Sequence, residues 1–130
     1  MNRVALAVIL NQKGEVLCVS RKHNHEDFGL PGGKVDPNET FEEGVIRETK
    51  EETGLEIENL KLVFASHRHG AMGHTFLATI KDEENSMIYT EEPHIVAWKP
   101  WAFPMNGTFG EWNKQVYKSL QDMGHKVKFM

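Results

Sequence analysis

Three carboxylates crowd into one short stretch of this chain, Glu48, Glu51 and Glu52, inside a segment that reads as a helix from Thr40 to Thr53. At about 100° per residue they fall within an arc of roughly 100° and so share one edge of that helix. Phe41, Val45, Ile46 and Thr49 form the adjoining arc that packs inward, and Arg47 stands four residues before Glu51, within reach of an ion pair. Crowded carboxylates repel one another, and a hard divalent cation such as Mg²⁺ or Mn²⁺, which prefers oxygen ligands and keeps substrate phosphates in its shell, relieves that repulsion. The same residues also fit a solvated acidic helix face. A Gly-rich turn just upstream, Phe28-Gly-Leu-Pro-Gly-Gly33, favours the cation, because its backbone can approach a ligand closely and offers free carbonyls.

Residues suited to an anionic or aromatic ligand lie around this centre. Arg21, Lys22 and Lys34 flank the turn and would attract phosphates, although each also reads as ordinary surface charge. Phe28, Phe76, Trp101 and Phe103 offer faces on which a base stacks, or serve the core. Asn106 reads as a group for a base edge or as a turn former. His67, His69 and His74 cluster, but they lack a paired carboxylate and a helical spacing, so zinc is not expected there.

The elements that must position these groups follow from patterning. Arg3 to Asn11 reads as a buried strand, and Asn11-Gln-Lys-Gly14 turns it into a second strand, Glu15 to Ser20, as a hairpin. Arg21 to Asp27 reads as a loop. Asp36-Pro-Asn38 leads into the acidic helix, which Gly54 stops. Strands are expected at about Leu60–His67, His74–Ile80, Met87–Thr90 and His94–Lys99. A last helix is expected from about Glu111 to Asp122, with Trp112, Val116 and Leu120 on one face. The pattern predicts an α/β fold, a mixed sheet lying between helices.

Composition limits the alternatives. With 130 residues, 39% of them hydrophobic, one domain is expected across 1–130 and disorder is not. A single cysteine, Cys18, excludes an internal disulfide and fits a reducing compartment. The longest apolar run, Val4 to Leu10, is seven residues, against about 20 needed to span a bilayer. No basic segment precedes it, so the expectation is a cytoplasmic protein without a membrane. Net charge is −4; Asp36 to Glu58 carries nine acidic and two basic residues, which leaves the remainder mildly basic. That distribution argues against duplex nucleic acid as a partner and for cations with an anionic ligand.

The spacing of the acidic segment is specific. Gly33, five residues, Glu39, seven residues, then Arg47-Glu48-Thr49-Lys50-Glu51-Glu52-Thr53-Gly54-Leu55 resembles the Nudix box, G-x5-E-x7-R-E-U-x-E-E-x-G-U, with Thr49 where the pattern prefers a bulky aliphatic residue. Leu30-Pro-Gly-Gly33 resembles the lead-in to that box, and Trp98-Lys-Pro-Trp101 the family's late strand end. The resemblance implies the Nudix α/β/α sandwich and Mg²⁺- or Mn²⁺-dependent hydrolysis of a nucleoside diphosphate linked to another moiety. Position by position, Glu48, Glu51 and Glu52 match the metal-binding glutamates. Gly33 matches a glycine whose carbonyl joins them, Arg47 the arginine that orients them, and Glu39 a structural acid. For the general base the family draws on different places, and Glu48, Glu91 and Glu92 are the candidates, with Glu92 also a candidate metal ligand.

Marks outside the box bear on the substrate. The proline of ADP-ribose members and the tyrosine of dinucleoside polyphosphate members are both missing around Gly70-Ala-Met-Gly73. By elimination the chain looks most like the mutator-type nucleoside triphosphate pyrophosphohydrolases, which convert a (d)NTP to a (d)NMP and pyrophosphate. Arg21, Lys34, Phe28, Phe76 and Asn106 are then the expected substrate contacts. Hydrolysis of a nucleotide sugar, dinucleoside polyphosphate or capped RNA, and a Nudix sensor that binds without cleaving, stay open. So does a homodimer.

Overall fold

The computed structural model describes Asn2–Met130, and the following concerns those residues. Strand β1 (Asn2–Ile9) runs through a four-stranded mixed sheet of order β4-β1-β6-β5, formed with β4 (Gly32–Lys34), β5 (Ile57–Arg68) and β6 (Ala71–Ile80). β1 pairs parallel with β6 and antiparallel with β4. A second, antiparallel sheet has the order β3-β2-β7, from β2 (Val16–Arg21), β3 (Asn24–Gly29) and β7 (Val96–Lys99).

Alternation along β1 divides the core. Ala5, Ala7 and Ile9 pack with Val45 of α1 (Phe41–Thr53), while Val8, with Leu6 and Leu10 beside it, packs with Val116 and Leu120 of α3 (Gly110–Asp122). The mixed sheet therefore lies between helices, as its pattern predicts. A short α2 (Ala102–Met105) precedes α3 and was not anticipated. Among the described residues no helix is long and apolar enough to cross a membrane.

Other expectations require correction. The turn at Asn11–Gly14 forms, with the Gly14 N–H donating to the Asn11 carbonyl, but β1 and β2 make no hairpin ladder beyond the bridge Leu10–Val16. They diverge into different sheets because each is buried on both faces and has a better partner elsewhere, β6 for β1 and β7 for β2. Residues 21–27 are not all loop. β3 begins at Asn24 and pairs antiparallel with β2, its polar side chains facing water from a sheet edge. Met87–Thr90 forms no strand. The Tyr89 N–H instead caps the Thr53 carbonyl at the end of α1, and Met87 and Tyr89 are exposed.

α1 is delimited as its sequence demands. The Thr40 hydroxyl accepts from the Glu43 N–H and the Glu43 carboxylate from the Thr40 N–H, a reciprocal capping box. At the other end Gly54 adopts φ 77°, its N–H closing on the Lys50 carbonyl.

Candidate functional site

The two ends of the site are joined by β1 and β4. Leu6 and Val4 register against Gly32 and Lys34, which places the Gly-rich turn beside the acidic edge of α1. Gly32 has φ 141°, and a Cβ there would lie 2.1 Å from the Ala5 carbonyl oxygen, so only glycine permits this approach.

Arg47 organises the carboxylates. Its Nε and Nη2 donate to Glu39 at 2.8 and 2.9 Å, its Nη1 to Glu48 at 3.1 Å and Glu51 at 3.4 Å, and its Nη2 also to the Lys34 carbonyl at 3.1 Å. A planar fork suits this divergent set. The bonds to Arg47 hold the Glu39 carboxyl down at about 2. Glu48 and Glu52 move the other way. Burial raises both, Glu52 to about 7, and the neighbouring carboxylates, Glu92 among them, add to the rise. Glu52 also accepts from the Gly32 N–H at 2.7 Å, which opposes the shift without cancelling it.

Gly33 sits directly on Glu48: a Cβ at Gly33 would meet the Glu48 carboxyl at 3.0 Å. Glu92 arrives from the segment before β7, 3.2 Å from the Lys22 ammonium and 3.5 Å from Nδ1 of His94. Glu91, by contrast, is exposed and accepts from the Tyr89 hydroxyl. Among the described residues no three acidic, histidine or cysteine side chains are already gathered around a point that would hold a metal ion. The donor set nevertheless suits a hard cation. Its carboxylates are half-buried and mutually repelling, and the space that a Cβ at Gly33 would fill lies against one of them. The histidines do not converge as a zinc site: His74 stacks on Phe41 at 3.7 Å, while His67 and His69 are exposed.

A cleft of about 250 Å³ leads away from Glu52, Gly32 and Gly33 between the two sheets. Arg21, Lys34 and Phe28 line it, so these three sequence-predicted contacts share one cleft with Glu52. Two others do not. Phe76 is enclosed in the core, because β6 is an inner strand and this position faces α1. Asn106 is exposed at the C-terminus of α2, its N–H bonded to the Ala102 and Phe103 carbonyls, and it is absent from the cleft lining. Trp101 is fully buried beside Tyr117, whereas Phe103 is exposed with the Lys99 ammonium 4.6 Å from its ring centre.

Sequence patterning missed Phe109 and Asn113, which also line the cleft. The Asp27 carboxylate, bonded to the Thr108 N–H and hydroxyl, ties their segment to β3. Asn113 is almost wholly buried. Its Nδ2 donates to the Pro104 carbonyl at 3.0 Å, and its Oδ1 finds no partner among the described residues. An asparagine on the buried stripe of α3, three residues before Val116, was the available signal.

A family profile for the NUDIX domain matches residues 1–120, and the chain belongs to the Nudix family. It is 41% identical over 75 residues to an ADP-ribose pyrophosphatase of Methanocaldococcus jannaschii, covering 55% of this chain and 44% of that protein. It is also 39% identical over 67 residues to an 8-oxo-dGDP phosphatase of Mus musculus, covering 50% of this chain and 21% of that protein. The matches thus span less than half the length of these relatives. In fold it is similar to a solved structure of MutT from Aliivibrio salmonicida and Vibrio cholerae, with a TM-score of 0.73 and 20% identity over 93% of this chain and 98% of that one.

Proposed function

We propose that this protein hydrolyses a nucleoside diphosphate linked to another moiety, with a (d)NTP converted to (d)NMP and pyrophosphate as the leading case. The observation that carries this reading is one cleft lined both by Glu52 of the carboxylate cluster, with Gly32 and Gly33, and by Asn113, whose buried acceptor has no partner among the described residues. An orphaned buried acceptor beside an apolar wall suits the N–H edge of a base. The similarity to an ADP-ribose pyrophosphatase and to an 8-oxo-dGDP phosphatase supports a nucleotide.

Glu48, Glu51 and Glu52, with the Gly33 carbonyl and Glu92, would hold a divalent cation, Mg²⁺ or Mn²⁺. When bound, such an ion neutralises diphosphate charge and lowers the pKa of coordinated water. The chain's own residues do the rest. Arg47 keeps Glu48 and Glu51 in fixed rotamers, and Lys34 and Arg21 attract the phosphates at the rim of the cleft. Phe28 and Phe109 offer apolar surface to the base, and Asn113 Oδ1 accepts from its edge. Water attacks one phosphorus, a carboxylate takes its proton, and nucleotide and leaving group separate. Glu48 and Glu92 remain the candidates for that proton; the bond from the Tyr89 hydroxyl to Glu91 argues against Glu91.

The test is a Mg²⁺-supplemented hydrolysis panel of canonical and oxidised (d)NTPs, ADP-ribose, NADH, dinucleoside polyphosphates and capped RNA, run on the native chain and on Glu52→Gln. Release of pyrophosphate and a monophosphate from a triphosphate, abolished in the variant, is the expected result. Turnover of ADP-ribose or another member alone keeps the chemistry and replaces the substrate. Nucleotide binding without turnover of any member overturns the hydrolase in favour of a sensor.

A further inference from the structure

Phe28 and Phe109, the two rings offered to the base, belong to separate elements, β3 and the start of α3. Phe28 is packed in the core, but Phe109 is 62% exposed, so burial does not fix it. Residues 106–109, which lead from α2 into α3, form no helix or strand. What holds them is the residue beside Phe28. The Thr108 N–H donates to Oδ1 of Asp27 at 2.9 Å, and the Thr108 hydroxyl donates to Oδ2. Both bonds end on a charged acceptor, which makes them stronger than bonds between neutral groups. Gly107 lies against the same strand: a Cβ there would collide with the Phe28 carbonyl oxygen and stand 2.8 Å from Asp27 Oδ1. The Phe109 carbonyl in turn accepts from the Asn113 N–H at 3.0 Å, so the first turn of α3 follows the clamped segment. Asp27, Phe28, Thr108, Phe109 and Asn113 all line the cleft, and Thr108 and Phe109 also line a neighbouring apolar pocket of about 400 Å³.

We propose that Asp27 is a positioning residue for the nucleoside: by clamping Thr108 it sets the spacing between Phe28 and Phe109, the chain neighbours of the two clamped residues, and with it how tightly and how selectively the base is held. This rests on the reading above, in which the cleft receives a nucleotide. A role for the charge of Asp27 has the opposite sign. Asp27 is an anion in a cleft meant for an anion, and its carboxylate lies 3.9 Å from Nε of Arg21. Removing that charge alone would free Arg21 for phosphate and tighten binding. Removing the clamp weakens it.

Substitution separates the two. Asparagine keeps a carbonyl oxygen for the Thr108 N–H, and its amide nitrogen donates to the Thr108 hydroxyl oxygen, so Asp27→Asn drops the charge and keeps the clamp. Asp27→Ala drops both. With the substrate found by the panel, Asp27→Ala is expected to raise KM about 5- to 100-fold at native kcat, the scale of losing an aromatic partner for a base. It should also narrow the spread of kcat/KM across the bases, which a residue that only stiffens the fold would not do. Asp27→Asn should keep the native KM. In a Phe109→Ala background, Asp27→Ala should cost nothing further. Calorimetry with AMP, GMP, CMP and UMP should show the same pattern of affinities without turnover. Thr108→Val, which lacks the hydroxyl donor, supplies the comparison should alanine at position 27 unfold the chain. A native KM in Asp27→Ala, a KM in Asp27→Asn as high as in Asp27→Ala, or losses that multiply in the Phe109→Ala background overturn the proposal while leaving the hydrolase standing. A native chain that neither hydrolyses a member of the panel nor binds a monophosphate overturns both.

Discussion

The Gly32 N–H donates to the Glu52 carboxylate at 2.7 Å, which latches the Gly-rich turn to the last turn of α1. The latch joins the two sequence features that carry chemistry, twenty residues apart in the chain. It also holds a carboxyl in a crowded, half-buried place where its charge is unwelcome. A divalent cation offsets that cost, so metal and pH should act on the stability of this protein through the same group.

The sign of that dependence follows from the direction of the shift. Glu52 titrates at about 7 in the fold against 4.5 unfolded, so its contribution is fully present below 4.5 and is lost as pH rises through about 7. Glu39 acts oppositely: lowered from 4.5 to about 2, it stabilises above 4.5 and its contribution is lost as pH falls through about 2. In EDTA the thermal midpoint should therefore drop between pH 5 and pH 8, and Glu52→Gln should flatten that slope. A native profile already flat over this window would refute the assignment.

Much of this was legible beforehand, and the misses share a cause. The acidic edge of α1 and the stop at Gly54 are local, set by spacing within one helix. The hairpin expected of β1 and β2 failed because pairing is decided by which distant strand covers each face. For the same reason Phe76 packs in the core on the α1 side, whereas Phe28, also buried, lines the cleft: which strand lies where in the sheets is not written in either phenylalanine. Asn113 was hidden because an asparagine on an otherwise apolar stripe shows its meaning only when the partner of each amide atom is known.

Arg47 should not tolerate lysine. Lysine keeps the charge but cannot bond Glu39 and Glu48 from separate nitrogens of one plane. Arg47→Lys is expected to remain folded and to lose about 10- to 100-fold in activity, with a higher Mg²⁺ concentration needed for half-maximal rate. A Mg²⁺ titration of the rate is the measurement. An unchanged midpoint would mean that Arg47 does not hold the glutamates for the cation.

Thr49 marks a place where the chain can be improved. It is fully buried where the Nudix box prefers an aliphatic residue, and its hydroxyl has no partner among the described residues. Thr49→Val removes the orphaned group at nearly constant volume and should stabilise the protein by about 1–2 kcal/mol. Chemical denaturation reads this directly: the midpoint should rise while the slope stays constant. A loss of stability would show that the hydroxyl is satisfied in solution.

The paired glycines of the turn should respond differently to the same methyl group. At Gly32 the backbone lies at φ 141° and a Cβ would fall 2.1 Å from the Ala5 carbonyl oxygen, so Gly32→Ala should disrupt β4 and lower stability sharply. At Gly33 a Cβ meets only the end of a side chain, the Glu48 carboxyl at 3.0 Å, which can swing aside. Gly33→Ala should therefore fold with a native thermal midpoint and still lose activity on the order of 100-fold, because displacing a working carboxylate by a fraction of an ångström to an ångström has that scale of effect. Paired unfolding and rate measurements on the two variants separate the roles. If Gly33→Ala turned over substrate at the native rate, the contact between Gly33 and Glu48 would be packing alone, and the cation would have to be held without this end of the turn.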